Sequence, residues 1–174
     1  ERRQRVVEQL LLLARLDIHQ ERPAPETVQL PALVMDLAAD LWPLAESRQQ
    51  TLDLVEGEPV EVAGHATELG ILIRNLMDNA LRYTPPGGEV SVAVGVENQH
   101  PWLTIDDSGP GIPEPLLEAV TQRFQRASDQ RISGSGLGLS IASEIAERQR
   151  LTMTLANREG GGLRVRLDWL DPVV

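Results

Sequence analysis

Cysteine is absent from this chain of 174 residues. That excludes disulfides and thiolate metal sites, and it fits a reducing compartment. Aromatic residues are scarce, with one Phe and one Tyr, so the core must be aliphatic. No apolar run approaches the about 18 residues needed to span a bilayer; the longest, "LLLLA", is followed by Arg15 and Asp17. Positive charge is also short: 16 basic against 26 acidic residues give a net charge of -10. A nucleic-acid binder would normally present a basic face, so that class is disfavoured. An anionic ligand is not excluded, because local donors override the global field. The chain opens on "ERRQR" rather than a methionine or a signal sequence, and is expected to be a fragment of something longer.

What is present is ordinary globular composition, 41% hydrophobic and 24% charged, enough for one domain or one domain with a short attached element. "ERRQRVVEQLLLLARLD" predicts a helix over 2–17 with Val6, Leu10 and Leu13 in a wide apolar stripe. The polar, proline-punctuated "IHQERPAPET" that follows cannot cover that stripe, so the helix wants a partner. "TVQL" (27–30) predicts a short strand. Pro31 suits the first turn of a helix running to about Arg48, with Leu33, Leu37, Leu41 and Leu44 on one side and Pro43 placed to bend or interrupt it. "QTLDLVE" and "EPVEVAG" alternate as strands, and a long helix spans about 67–82. Residues 89–97 and 101–107 form a hairpin, "EPLLEAVTQRF" and "LGLSIASEIAERQ" two helices, and "LTMTLAN" and "LRVRLDWL" a closing hairpin. The class is α+β, a mixed sheet with helices on one face.

Three segments carry chemistry. On the helix over 67–82, Leu69, Leu72, Ile73, Leu76 and Leu81 supply packing, while Asn75 and Asn79 share another face, with Arg82 one turn further on. Asparagine is a poor helix-interior residue, so two of them four apart need burial partners or a ligand. They either hydrogen-bond neighbouring loops, or offer carboxamide oxygens to a Mg²⁺ already neutralised by phosphates, which Arg82 would balance. In "IDDSGPGI" (105–112) a strand ends in carboxylates and runs into Gly109 and Gly111. This is a tight turn, or a backbone-close pocket in which Asp107 accepts a hydrogen bond from an exocyclic amine such as adenine N6. "GSGLGL" places Gly134, Gly136 and Gly138 around the start of a helix, where backbone N–H groups can crowd a phosphate. It is neither a Rossmann fingerprint nor a P-loop.

Together and in this order, the segments resemble the ATP-binding fold shared by sensor histidine kinases, DNA gyrase B, Hsp90 and MutL. "LGILIRNLMDNALRYTP" looks like the N box, "DDSGPGI" the first glycine box, "QRF" with Phe124 the F box, and "GSGLGL" the second glycine box. The opening "RRQRVVEQLLLLARLD" looks like the end of the second helix of a histidine-kinase dimerisation domain. In detail the chain is most similar to membrane-bound bacterial sensor kinases of two-component systems, the group containing the quorum-sensor and polymyxin-resistance kinases.

The resemblance implies a Bergerat-type two-layer α/β sandwich over 23–174, preceded by a helical stub and linker over 1–22. It implies ATP and Mg²⁺ as ligands, with Asn79 as the main metal-coordinating residue and Asn75 lining the same site. Arg82 would lie near the terminal phosphates, Tyr83 beside the adenine, and Asp107 on the adenine amine. Gly109 and Gly111 would shape that pocket. Gly134, Gly136, Leu137 and Gly138 would hold a lid over the phosphates, with Phe124 and arginines 123, 126 and 131 in or beside it.

A glutamate general base stands at the Asn75 position in gyrase-like ATPases, and an amide cannot take that proton at neutral pH. Asn75 thus favours a kinase over a hydrolase. The family's phosphoacceptor histidine is not found: His19, His65 and His100 fall on the wrong elements and read as surface or turn residues. The chain should bind ATP without phosphorylating itself efficiently. Ser108 stands where Asn is usual, and the lid is short. The implied partners are the dimerisation domain of the same protein, a second copy of the full-length protein and a response regulator. The implied setting is the cytoplasmic side of a bacterial inner-membrane sensor, with no membrane or nucleic-acid contact by this fragment. The alternatives are a nucleotide-binding regulatory module without phosphotransfer, a water-activating ATPase of the gyrase or Hsp90 type, and a protein-serine kinase of the anti-sigma type.

Overall fold

The computed structural model of the chain describes residues 23–55, 57–127 and 137–174. The helix expected over 2–17, and Gly134, Gly136 and Arg131, lie outside them. Strand β1 (Glu26–Gln29) runs directly into helix α1 (Leu30–Ser47), with Pro31 in the first turn, where a missing N–H costs nothing. Pro43 does not interrupt α1. The carbonyl it leaves without a donor is that of Ala39, an exposed residue, where water can take it. The buried stripe is Val34, Leu37, Ala38, Leu41 and Ala45; Leu33 and Leu44 flank it half-buried.

Strands β2 (Thr51–Leu54) and β3 (Glu61–Gly64) precede the long helix α2 (Ala66–Tyr83). Then come the hairpin β4 (Glu89–Glu97) and β5 (His100–Asp107), helices α3 (Glu114–Ala127) and α4 (Leu137–Arg148), and the hairpin β6 (Leu151–Asn157) and β7 (Leu163–Trp169). The main sheet has the order β2-β4-β5-β7-β6, with β2 parallel to β4 and the other pairs antiparallel. Where a single mixed sheet was expected, β1 and β3 form a separate antiparallel ribbon with Val28 opposite Val62, both buried. The flanks of β4 are taken by β2 and β5, so β1 and β3 satisfy each other's backbone groups instead.

The two hairpins close differently. Asn98 and Gln99 both have positive φ, the backbone of a two-residue turn whose twist matches the strands. The second hairpin needs five residues, and Gly160, Gly161 and Gly162 all have positive φ. One core joins the stripes of α1, α2 and α4 to Val90, Val92, Leu103, Ile105, Val165 and Leu167. Side chains alternate along a strand, so Trp102, Thr104 and Asp106 of β5 and Arg164 and Arg166 of β7 share the other face. There Arg166 stacks 5.2 Å over the Trp102 ring.

Candidate functional site

Asn75 and Asn79 sit half-buried on α2, at the margin of a stripe in which Leu69, Leu72, Ile73, Leu76, Met77, Ala80 and Leu81 are buried. One turn on, the Arg82 Nε donates to Asp78 Oδ2 at 2.8 Å, while Tyr83 is 74% exposed. The end of α2 is held from outside. Buried Gln50 donates from Nε2 to the carbonyls of Leu81 and Thr84, and Arg48 Nη2 donates to the Arg82 carbonyl at 3.1 Å. These are the carbonyls that a helix terminus leaves without partners of its own.

The last residue of β5, Asp107, is 6% exposed. Its Oδ1 accepts from the Gly109 N–H at 2.8 Å and from the Leu163 N–H at 3.2 Å, which leaves Oδ2 without a hydrogen bond among the described residues. Its carbonyl accepts from Arg158 Nη1 at 2.8 Å. The neighbouring Asp106 points to the opposite face of the sheet. It takes a two-point fork from Arg164, Nε to Oδ1 at 2.7 Å and Nη2 to Oδ2 at 2.6 Å. That hydrogen bonding raises the Arg164 pKa against the cost of desolvation. Pleat parity thus separates a structural aspartate from one that faces the helical layer.

The first glycine loop and the end of α2 touch. A Cβ on Gly109 would stand 2.9 Å from the Tyr83 carbonyl oxygen, so only glycine lets the two backbones approach this closely. An open cleft of about 580 Å³ lies there, walled by Arg48, Arg82, Tyr83, Thr84, Pro85, Ser108, Gly109 and Pro110. Ser108 closes its turn by itself: its N–H donates to the Glu89 carbonyl, and its hydroxyl oxygen accepts from the Glu89 N–H at 2.8 Å. Gly111 has positive φ and lies against Asn157.

Of the residues expected in the site, the structure brings Arg82, Tyr83 and Gly109 together on one cleft, with Asp107 adjoining and Asn75 and Asn79 on the helix behind. Phe124 and arginines 123 and 126 fall on α3, and Leu137 and Gly138 open α4. His65 is more than a free surface residue. It is half-buried ahead of α2, with Nε2 2.8 Å from the Pro23 carbonyl oxygen and Nδ1 3.2 Å from Gln149 Nε2. Because Gln149 Nε2 is a donor, Nδ1 accepts and Nε2–H donates to Pro23. His100 is in the hairpin, with Nδ1 3.2 Å from the Trp169 carbonyl oxygen; His19 lies outside the described residues. Sequence reasoning passed over Arg48, Gln50, Asn157 and Arg158, whose hydrogen bonds to the site span 31 to 51 residues of chain, and Gly162, which lies against the Asp107 carbonyl. The run "REGGG" was the one visible signal among them, and it reads as an ordinary turn.

Among the described residues, no three His, Cys, Asp or Glu side chains cluster as a metal site. A cation here would be held by neutral carboxamides, which fits Mg²⁺ whose charge is balanced by a bound phosphate chain. The chain contains no lysine, so its permanently cationic side chains are all arginines.

Comparison with known proteins gives a consistent result. Residues 64–173 match the family model described as histidine kinase-, DNA gyrase B-, and HSP90-like ATPase. The sensor protein QseC of Escherichia coli is 32% identical over 170 residues, which cover 97% of this chain and 37% of QseC. The sensor protein kinase PmrB of Pseudomonas aeruginosa is 37% identical over 169 residues, covering 96% of this chain and 35% of PmrB. The chain therefore spans little more than a third of the curated relatives it matches. The solved cytoplasmic segment of histidine kinase QseC superposes with a TM-score of 0.66 at 27% identity, over 98% of this chain and 93% of that one.

Proposed function

The chain belongs to the histidine kinase-, DNA gyrase B- and HSP90-like ATPase family, and from that premise we propose that it is the ATP-binding catalytic domain of a sensor histidine kinase. The observation that carries this reading is the packing of Gly109 on the Tyr83 carbonyl, which sets the end of the asparagine-bearing helix against buried Asp107. Adenine enters beside the first glycine loop. Asp107, its Oδ1 fixed by two backbone donors, offers Oδ2 to the exocyclic amine. Asn79 and Asn75 would hold Mg²⁺, which when bound neutralises and orients the phosphates. Arg82, at the exposed end of α2, balances charge at the terminal phosphates, and Gly134, Gly136, Leu137 and Gly138 are the further residues that the family resemblance assigns to the phosphates.

Transfer forms a bond from an imidazole nitrogen to the γ-phosphorus while the bond to the bridging oxygen breaks, leaving ADP with that electron pair. Asn75, an amide, cannot activate water as a glutamate would, so the site positions the phosphoryl for an outside nucleophile. That nucleophile is a histidine on a dimerisation domain of the same protein. From it the phosphoryl passes to an aspartate of a response regulator. The whole protein is proposed to be a homodimeric sensor of the bacterial inner membrane, with this domain on the cytoplasmic side. No helix among the described residues is long and apolar enough to cross a membrane.

Calorimetric titration of a non-hydrolysable ATP analogue with Mg²⁺ into the chain, alongside Asn79→Ala and Asp107→Ala, tests the reading. The parent binds. Each variant loses about tenfold or more, the cost of a hydrogen bond to a charged group. A well-folded parent that binds no nucleotide refutes the reading and leaves a docking module in its place.

A further inference from the structure

We propose that Asn157 is the positioning residue of the adenine end of the site, holding the first glycine loop in its binding shape without itself touching the nucleotide. This rests on the reading of the cleft as an ATP site. Asn157 is the last residue of β6, 45 positions from the loop it serves. Its Oδ1 accepts from the Ile112 N–H at 2.9 Å and its Nδ2 donates to the Ile112 carbonyl at 2.7 Å. Nδ2 also lies 3.4 Å from Glu114 Oε1. A carboxamide facing both polar groups of one residue reproduces what a neighbouring strand would supply. Among the standard side chains only Asn and Gln carry both a carbonyl acceptor and an N–H donor for that purpose.

The loop needs such a clamp. Pro110 and Pro113 have no N–H to donate, and Gly109 and Gly111 have no side chains to pack. Gly111 adopts φ +69°, and a Cβ on it would stand 2.7 Å from Asn157 Oδ1, so the loop lies directly on the carboxamide. Its other end is fixed by the Gly109 N–H on Asp107, and Asp107 is in turn fixed by the Leu163 N–H. The β6–β7 hairpin thus touches the loop at both ends, through Leu163 and through Asn157. With the clamp removed, the Gly111–Ile112 peptide can drift and the wall beside Asp107 loses its fixed spacing.

The test titrates Mg²⁺ with AMP-PNP, and separately with GMP-PNP, into the parent, Asn157→Ala, Asn157→Asp and Asp107→Ala, with a thermal melt of each. Asn157 is exposed, so its variants are expected to melt within a few degrees of the parent. Asn157→Ala should bind AMP-PNP about tenfold more weakly, the equivalent of losing one to two net hydrogen bonds. Its preference for adenine over guanine should narrow. Asn157→Asp keeps the acceptor for Ile112 N–H but sets a carboxylate oxygen against the Ile112 carbonyl and Glu114, and should lose at least as much. A purely structural role would lower the melting point and leave the adenine-to-guanine ratio unchanged, and that result overturns the proposal. So does parent-like affinity in Asn157→Ala when Asp107→Ala has lost binding. A folded parent that binds no AMP-PNP overturns the ATP-site reading itself, and this proposal with it.

Discussion

Consider the substitution of each glycine in turn along Gly160-Gly161-Gly162. All three have positive φ, at +87°, +107° and +96°, so an alanine at any of them carries a conformational penalty of about 1–2 kcal/mol. A Cβ on Gly160 or Gly161 meets nothing within 4 Å, so the penalty ends there. On Gly162 the same atom would overlap the Asp107 carbonyl oxygen outright, and would lie 2.8 Å from the carbonyl carbon and 3.2 Å from Ser108 Cα. Those are backbone atoms, so no rotamer change relieves the clash. Asp107 cannot yield freely either, because Arg158 and the Leu163 N–H hold it. Forced overpacking adds about 1–3 kcal/mol, which brings Gly162→Ala to about 2–5 kcal/mol in all. Urea unfolding reads the series directly. With an m value of about 2 kcal/mol/M, the midpoint should fall by about 1–2.5 M for Gly162→Ala and by less than about 1 M for the other two. Nucleotide affinity should fall with it, since the displaced atoms belong to Asp107. If Gly162→Ala is no less stable than Gly160→Ala, the reasoning that the hairpin braces Asp107 is wrong.

Gln50→Leu removes the donor to the Leu81 and Thr84 carbonyls at the buried end of α2, and should cost about 1–3 kcal/mol in urea unfolding. It should also weaken nucleotide binding, because Arg82 and Tyr83 ride on that end. A double-mutant cycle on Asp106 and Arg164 should give a coupling of about 1 kcal/mol, held down by the 50% exposure of the Arg164 side chain and reduced further by salt. The Arg164 pKa is raised in the folded state, so its contribution is fully present throughout the range below the ordinary arginine value and is lost only as pH rises past the raised folded value. From the guanidinium side the coupling should therefore stay flat between about pH 6 and pH 9, and a slope there would contradict the assignment.

Elements were legible where the signal is local. The helix expected over 67–82 is Ala66–Tyr83, and the strand expected over 89–97 is Glu89–Glu97, because both rest on periodicity within a single segment. Pairing was not legible. No pattern inside "QTLDLVE" says that it lies parallel to β4, or that "EPVEVAG" leaves the main sheet for β1. The two aspartates are an intermediate case. With Leu103 and Ile105 facing the core, parity alone sends Asp107 inward and Asp106 outward, whereas the partner of Asp106 required knowing that β7 lies alongside β5. Asn157, Gln50 and Gly162 were invisible for one shared reason. Each acts on backbone atoms of a distant segment, and a side chain that binds backbone leaves no complementary residue type in the sequence to point to it.

The first glycine loop and the end of α2 are built on different terms. Asp107, Gly109, Gly111 and Ile112 are tied by Asn157, Arg158, Gly162 and Leu163, all anchored in a closed hairpin of the sheet. Across the cleft from that loop, Arg82 and Tyr83 project from the end of α2 with their side chains exposed. A hydrolase would have reason to enclose the phosphates, since its own base must meet a captured water there. On the proposed reading, a domain whose acceptor histidine arrives from elsewhere has a different requirement: it must fix the base firmly enough to orient the phosphates toward a second protein surface.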